Sequence, residues 1–363
     1  MAPPRPLAGR RVVELAQFIA GPTAAQLLAD FGAEVVKVEA PSGDGSRALP
    51  GTAFGSVYSR WFNTSKQSRA LDLRSAEGRE ALATLLAEAD ALVCNVAPAA
   101  LARLDLDAAA IRRRFPHLVA TLISGYGQQD GRTCMDTIAQ CESGFAWLNG
   151  AEDGSPRIST GWPADFFSGL YASYATAMAL LDPARTGGTV IDLTMMEVST
   201  AMLVGPAALL IAEGGEPAPP TGNRDRASAP SGVYPCADGH VYIYGGLDPY
   251  WARLAPLVGG EMASAADRLA RAAEFDAVVA GWTAGRTRES VLEAMRGLDV
   301  PAGAIRSPTE AMAMVRGLRP GAVTLAAEDG EHVPSFPALF DGARIARSPA
   351  PAIGGPRRKP TTG

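Results

Sequence analysis

The sequence predicts an α/β protein: a Rossmann-like parallel-sheet large domain followed by a smaller α+β domain. Three observations carry that prediction. Short β-branched runs alternate with helical periodicity between about residues 11 and 124, the pattern of strands joined by crossover helices. A Pro/Gly-rich stretch, Gly214-Gly215-Glu216-Pro217-Ala218-Pro219-Pro220, then breaks the chain, and beyond it two strands joined by an Asp-Gly turn lead into a run of helices. The length, 363 residues, suits two domains of roughly 150 residues each.

Arg11-Val12-Val13-Glu14-Leu15 reads as the first strand. Gly21-Pro22 precedes a helix over Thr23 to Phe31, stopped by Gly32, and Glu34 to Glu39 is the second strand. A strand over Arg69 to Leu73 is followed by a helix over Ala76 to Ala89, a strand over Ala91 to Asn95, a helix over Leu106 to Arg114 and a strand over Leu118 to Ser124. Helical patterns follow at about 135–148 and 166–181, then a strand over Thr189 to Leu193 and a long apolar helix from Met195 to Ala212. In the second region, strands at Gly232 to Tyr234 and His240 to Tyr244 flank the turn Ala237-Asp238-Gly239, and helices are expected at about 249–258, 264–281 and 287–297. The segment from Pro349 to Gly363 reads as a surface tail.

Composition narrows the function. Hydrophobic residues make up 47%, enough for a large core, and 33 basic against 38 acidic side chains leave a net charge of −5. No basic field is available for nucleic acid or an anionic membrane, so small-molecule partners are expected. The longest uncharged runs fall short of a membrane span, and the first residues lack the charged and apolar regions of a signal peptide, which gives a cytoplasmic address. Cys94, Cys134, Cys141 and Cys236 form no CxxC pair and no cluster with zinc-ligand spacing. They read as reduced, mostly buried thiols, and no metal is expected.

Few residues declare chemistry on their own. Gly21-Pro22 sets backbone N–H groups at a helix start, where an anion could sit, but a plain turn explains it equally; the GxGxxG fingerprint is absent. Asp136 opens a helical stretch and reads first as its N-cap. Asp165, in Gly161-Trp162-Pro163-Ala164-Asp165-Phe166-Phe167, stands at the threshold of an uncharged helix with aromatic neighbours. Burial there would raise its pKa and strip its solvent, as a nucleophile or base requires, although an N-cap accounts for it too. His117, His240 and His332 lie beside no serine or cysteine in a nucleophile-elbow setting and read as exposed.

In order and spacing, these segments resemble the family III (CaiB/BaiF-type) CoA-transferases, whose superfamily includes the α-methylacyl-CoA racemases. The resemblance rests on Ala20-Gly21-Pro22, Leu28 to Glu39, Asn63-Thr64-Ser65-Lys66 with Leu71-Asp72-Leu73, Ala89 to Val93, Ile123 to Gly127, Asp136 with Ile138-Ala139-Gln140, Ala164-Asp165 with Gly169, and Asp238-Gly239. It implies a CoA-transferase that moves CoA from an acyl-CoA donor to a carboxylic acid acceptor through a covalent intermediate on Asp165. Backbone N–H groups near Ile19 and Ala20 match positions beside the thioester. Leu71, Arg74, Asn95, Val96, Arg103, Met135 and Asp136 match CoA-contacting positions, and Arg47 with Arg74 would meet the CoA phosphates.

The resemblance also implies an interlocked homodimer, with a large CoA-binding domain of residues 1–213 and 326–363, a linker at 214–224 and a small domain at 225–325. An acyl-CoA racemase, or a CoA-binding member without catalysis, are the alternatives. Racemases of the family place histidine where this chain has Met135. The glycine-rich closing loop of some transferases has no match at Thr221 to Arg226. Trp162, Phe166, Phe167, Tyr250 and Trp251, taken as walls of the acyl pocket, predict a medium-sized apolar or aromatic acyl group.

Overall fold

Six short strands line up in one direction in the computed structural model, which describes residues 2–52, 55–203, 205, 220–327 and 329–360. With strands numbered in chain order, these are β1 (Arg11–Leu15), β2 (Glu34–Glu39), β5 (Gln67–Ala70), β6 (Ala91–Cys94), β7 (Val119–Ser124) and β8 (Thr189–Thr194); β3 (Gly51–Thr52) and β4 (Gly55–Ser56) form a separate small hairpin. The parallel sheet has the order β5-β2-β1-β6-β7-β8. β6 and β7 are buried along their whole length, which is why they read as unbroken apolar runs: both faces are covered.

Side-chain alternation sends Val12, Val35 and Val93 to one face, where α1 (Ala20–Asp30) and α8 (Pro163–Leu181) supply Ala24, Leu28, Ala172 and Leu180. Val13, Val38 and Leu92 point to the other face, against Leu82 and Leu86 of α3 (Ala76–Ala87), Leu101 of α4 (Pro98–Arg103) and Ile111 of α5 (Ala108–Arg114). α1 and α8 approach closely because position 169 is glycine. A Cβ there would lie 2.7 Å from the Thr23 Cβ and 2.8 Å from the Ala20 carbonyl oxygen. Among the described residues this part also has α2 (Val57–Phe62), α6 (Asp136–Glu142), α7 (Phe145–Leu148), α9 (Met195–Ala201) and a short 3-10 helix at Gly45–Ala48.

The chain divides into two units, one spanning Met1–Ala146, Ile158–Glu216 and Val315–Gly363, the other Trp147–Arg157 and Pro217–Met314. The second unit holds an antiparallel sheet in the order β11 (Ala302–Ala304), β10 (Gly239–Tyr244), β9 (Ser231–Cys236). Helices α10 (Asp248–Val258), α11 (Ala265–Ala270), α12 (Ala272–Thr283) and α13 (Arg288–Gly297) accompany it, and Trp251, Leu254, Phe275, Val279 and Met295 form its core. Further along lie α14 (Pro308–Leu318) and the hairpin of β12 (Thr324–Ala326) and β13 (His332–Pro334). The fold is therefore α/β, with a parallel sheet and a smaller antiparallel one, as the sequence predicts.

Several boundaries differ from expectation, each for a physical reason. α1 begins at Ala20, so Gly21-Pro22 occupies its first turn, where proline's missing N–H costs nothing. The helix expected over 264–281 is two helices broken at Arg271, whose backbone leaves the helical region. Residues 349–351 are buried rather than surface, because β5 is an edge strand and the returning chain covers it: Ser68 donates its N–H to the Gly355 carbonyl, and Gly354 donates to the Ser68 hydroxyl. Of the four cysteines, Cys94 alone is buried; Cys134 and Cys236 are half-buried and Cys141 is exposed. The expected helix from Met195 to Ala212 is seen over Met195–Ala201; residues 204 and 206–219, with most of the linker, lie outside the described residues. Among the described residues no helix is long and apolar enough to cross a membrane.

Candidate active site

In the sheet, β1 lies between β2 and β6, and the chain winds outward from it in both directions. Such a reversal leaves a crevice at the C-terminal ends of the two central strands, the usual ligand position in an open α/β sheet. Here the crevice is bridged by Asn95, which follows β6. Its Oδ1 accepts the Gln17 N–H at 2.9 Å and its Nδ2 donates to the Gln17 carbonyl at 2.8 Å. The next residue, Phe18, has φ 61°, a left-handed conformation rare outside glycine. That turn delivers the chain into α1. Gly21 is required there, since a Cβ would come within 2.3 Å of the Ala16 Cβ.

Asp165 reaches this edge from α8. Trp162, with φ 51°, precedes the helix, Pro163 begins it, and Asp165 is its third residue rather than its N-cap. The cap comes from Asp136, whose Oδ2 accepts the Asp165 N–H at 3.1 Å. Asp136 therefore caps α8 and not its own helix α6, which starts without a side-chain cap after Met135. Its other oxygen accepts from the amide of Gln140. Gly169, one turn beyond Asp165, is the glycine that lets α8 close onto Ala20, so the same helix face brings Asp165 to the start of α1.

A cavity of about 230 Å³ opens at this point, bordered by Asp165, Ala20, Gln17, Asn95, Arg132 and Met135. Burial, reinforced by the neighbouring Asp136 carboxylate, pushes the Asp165 carboxyl up to about 7. Burial together with the charges of Asp165, Asp44 and Asp136 holds the Tyr58 hydroxyl above its ordinary value, and the Tyr58 ring meets Trp162 edge-on at 5.4 Å. Burial also raises the Cys134 thiol, on the cavity wall, to about 11, with help from Glu142 and Asp165. A partly desolvated carboxylate beside a helix N-terminus can attack an acyl carbon while N–H groups take up negative charge on oxygen. Among the described residues, no acceptor in the protein takes the N–H of Ile19 or Ala20.

The profile of CoA-transferase family III matches residues 7–357. The chain belongs to CoA-transferase family III. A succinate–glutarate CoA-transferase of Agrobacterium fabrum is 33% identical to this transferase, with 91% of this chain and 87% of the relative aligned. A succinyl-CoA:mesaconate CoA-transferase of Haloarcula hispanica is 30% identical over 83% and 80%. Among solved structures, a CaiB/BaiF family protein from Brucella suis superposes with a TM-score of 0.85 at 30% identity, covering 97% of each chain.

The transferase brings Ala20, Asn95, Met135 and Asp165 to one cavity, with Ile19 and Asp136 directly behind it. The other expected residues are scattered. Leu71 and Arg74 follow β5, where the Arg74 guanidinium is exposed and held by Asp72. Arg103 borders a separate cavity of about 410 Å³ with Arg79 and Arg114. Val96 is half-buried and donates its N–H to the Cys94 sulfur. Arg47 is engaged by Glu39, at 2.7 Å from both Nε and Nη2.

The aromatic acyl pocket is not found in this cavity. Trp251 is in the core of the second unit, and Trp162, Phe166 and Phe167 are exposed and do not line the Asp165 cavity. All three histidines are exposed. Among the described residues no group of three or more His, Cys, Asp or Glu side chains could hold a metal.

Sequence reasoning missed a buried cluster beneath the site. Lys37 donates to the Glu14 Oε1 at 2.8 Å and the Ala16 carbonyl at 2.7 Å, and lies 2.9 Å from the Asp44 Oδ2. Lys66 lies 2.6 Å from the Glu14 Oε2 and donates to the carbonyls of Pro22 and Phe62. All four side chains are fully buried. Burial pulls Lys66 down to about 8, which Glu14 offsets only in part. Burial would also lower Lys37 and raise Asp44, but Glu14 and Asp44 lift Lys37, while Lys37 and the hydrogen bonds from Ser46 draw Asp44 down. The available signal was a charge set among the valines of each of two strands, Glu14 in β1 and Lys37 in β2, which the β1–β2 register sets opposite each other.

Proposed function

We propose that this transferase moves CoA from an acyl-CoA donor to a free carboxylic acid through a covalent intermediate on Asp165. The observation that carries the reading is the Asp165 carboxylate itself, half-buried in the cavity beside the start of α1. Its oxygen attacks the thioester carbonyl, and the C–S bond breaks to give an aspartyl-acyl anhydride and CoA thiolate. The thiolate then attacks the aspartyl carbonyl, forming an aspartyl-CoA thioester and releasing the donor's acid. The acceptor carboxylate repeats these steps in reverse. The N–H groups of Ile19 and Ala20 stabilise the oxyanions, supported by the dipole of α1.

Two features support a short dicarboxylic acyl group as substrate. The cavity carries Gln17, Asn95, Ser124 and the cation Arg132, a polar setting that suits a short dicarboxylic acyl group better than a bulky apolar one. The named substrates of the relatives above are of that kind. Such acyl-CoA substrates fit a cytoplasmic address. Met135, on the cavity wall, has no proton to exchange, which favours transfer over racemisation. CoA would extend from the cavity toward Asn95, Val96, Leu71 and Arg74, and the 410 Å³ cavity with Arg103 offers a place for an anionic end. An interlocked homodimer accords with the exposed apolar side chains of α8, among them Phe166, Tyr171, Tyr174 and Met178.

The test is trapping. Incubation with succinyl-CoA, then hydroxylamine or borohydride, is expected to modify Asp165 in mass-mapped peptides and no other carboxylate. Donor turnover without label at Asp165 would refute the covalent route. Asp165→Ala should lose at least about 1,000-fold in kcat.

A further inference from the structure

We propose that the buried Glu14, Lys37, Asp44 and Lys66 cluster is a positioning device for the reaction: it holds the turn at Ala16 to Phe18 and the first turn of α1 in place opposite Asp165. The inference rests on the reading of Asp165 as the nucleophile but concerns different residues.

Four fully buried charges are an expensive way to fill space. Apolar side chains of similar volume commonly serve stability as well or better, so the cluster's contribution has to be sought in what it holds. It holds backbone. The Lys37 ammonium binds the Ala16 carbonyl at 2.7 Å, the Asp44 Oδ1 accepts the Phe18 N–H at 3.4 Å, and the Lys66 ammonium binds the Pro22 carbonyl at 2.9 Å. Asn95 takes both polar groups of Gln17 between them. The turn and the start of α1 thus have backbone groups fixed from strand β2, the loop after β2, the segment before β5 and the loop after β6.

Such anchoring is what a strained turn requires. Phe18, at φ 61°, stays left-handed only if its surroundings over-determine it. Gln17 and Phe18 both border the Asp165 cavity, and the N–H groups of Ile19 and Ala20 follow immediately. The two carboxylates and two ammoniums balance, and Glu14 bridges both lysines. Lys37 and Asp44 can therefore be neutralised together while the Glu14–Lys66 pair remains. They are positioning residues, since neither borders the cavity.

The experiment compares the full-length parent with Lys37→Met/Asp44→Asn and with Asp44→Ala, assaying succinyl-CoA with glutarate. Free CoA affinity is measured by calorimetry, folding by thermal melting, and Asp165 labelling by the hydroxylamine trap. The double variant is expected to lose about 30- to 300-fold in kcat, in the range of a misplaced oxyanion donor, with CoA affinity within about threefold of the parent. Labelling of Asp165 should slow in step with kcat. Asp44→Asn alone keeps an acceptor for Phe18 and should lose less than Asp44→Ala, and it stands in if the double variant does not fold. A folded variant with kcat within about threefold of the parent would overturn the proposal, as would a loss that appears equally in CoA affinity. Absence of label in the parent would instead count against the Asp165 reading, which separates the two failures.

Discussion

At the scale of single residues, Asp165 is set to titrate close to neutrality. Its carboxyl is pushed up to about 7 by burial and by Asp136, and the attacking form is the carboxylate. Because the folded value lies above the ordinary one, the ionised fraction falls as pH drops through 7. Below that point kcat/KM should therefore decline about tenfold per pH unit, read from a pH profile with an acceptor acid that stays ionised. Asp136→Asn removes the like charge but keeps an oxygen for the Asp165 N–H, so the inflection should move to lower pH. An unmoved inflection would leave burial as the whole cause. Asp165 stood out in the sequence as a lone carboxylate beginning a long uncharged helix, but an N-cap accounted for it equally, and its proposed role came from the family resemblance. Lys37 and Asp44 were not legible, since a charge inside a strand, such as Lys37, shows its partner Glu14 only once the strand register is known, and Asp44 reaches Lys37 from the loop after β2.

At the scale of elements, the contact between α1 and α8 aligns the proposed nucleophile with the start of α1. Gly169→Ala places a methyl 2.7 Å from the Thr23 Cβ and 2.8 Å from the Ala20 oxygen, and neither can yield without moving a helix. The expected cost is about 1–3 kcal/mol in urea unfolding, and the loss of kcat should exceed what that stability change explains. A variant with normal kcat would show that the register of the two helices is not critical. The strands of this layer could be read from short β-branched runs, because neighbours such as Val12 and Val13 serve opposite faces and both faces are covered. Helix starts were less legible. Gly21-Pro22 looks like a boundary but lies inside the helix, and Asp136 looks like a local cap but caps a helix whose first residues are far along the chain.

At the scale of the molecule, the site-bearing unit is closed by a contact that no local pattern announces. Arg347 meets Asp30 at the end of α1 with Nε to Oδ1 at 2.7 Å and Nη2 to Oδ2 at 2.5 Å, both side chains buried. Burial raises the Asp30 carboxyl despite the arginine. Arg347→Leu would strip that buried carboxylate of its hydrogen-bonded partner, leaving only the more weakly acting Lys66 and Arg357, and should cost about 3–5 kcal/mol, measured as a lower urea midpoint at pH 7. Asp30→Asn in the same background should recover part of it. If Arg347→Leu unfolds at the parent's midpoint, the pair does not hold the unit together.

The same contact carries a consequence for biosynthesis. Its partners are 317 residues apart, so at ribosomal speeds of roughly 5–20 residues per second Asp30 is added to the chain about 16–60 s before Arg347. During that interval the nascent sheet has its edge strand β5 uncovered and a carboxylate at the end of α1 without its guanidinium. Holdase chaperones that recognise exposed strand edges therefore have a defined window on this polypeptide, and synonymous codons that slow elongation between residues 30 and 347 would lengthen it.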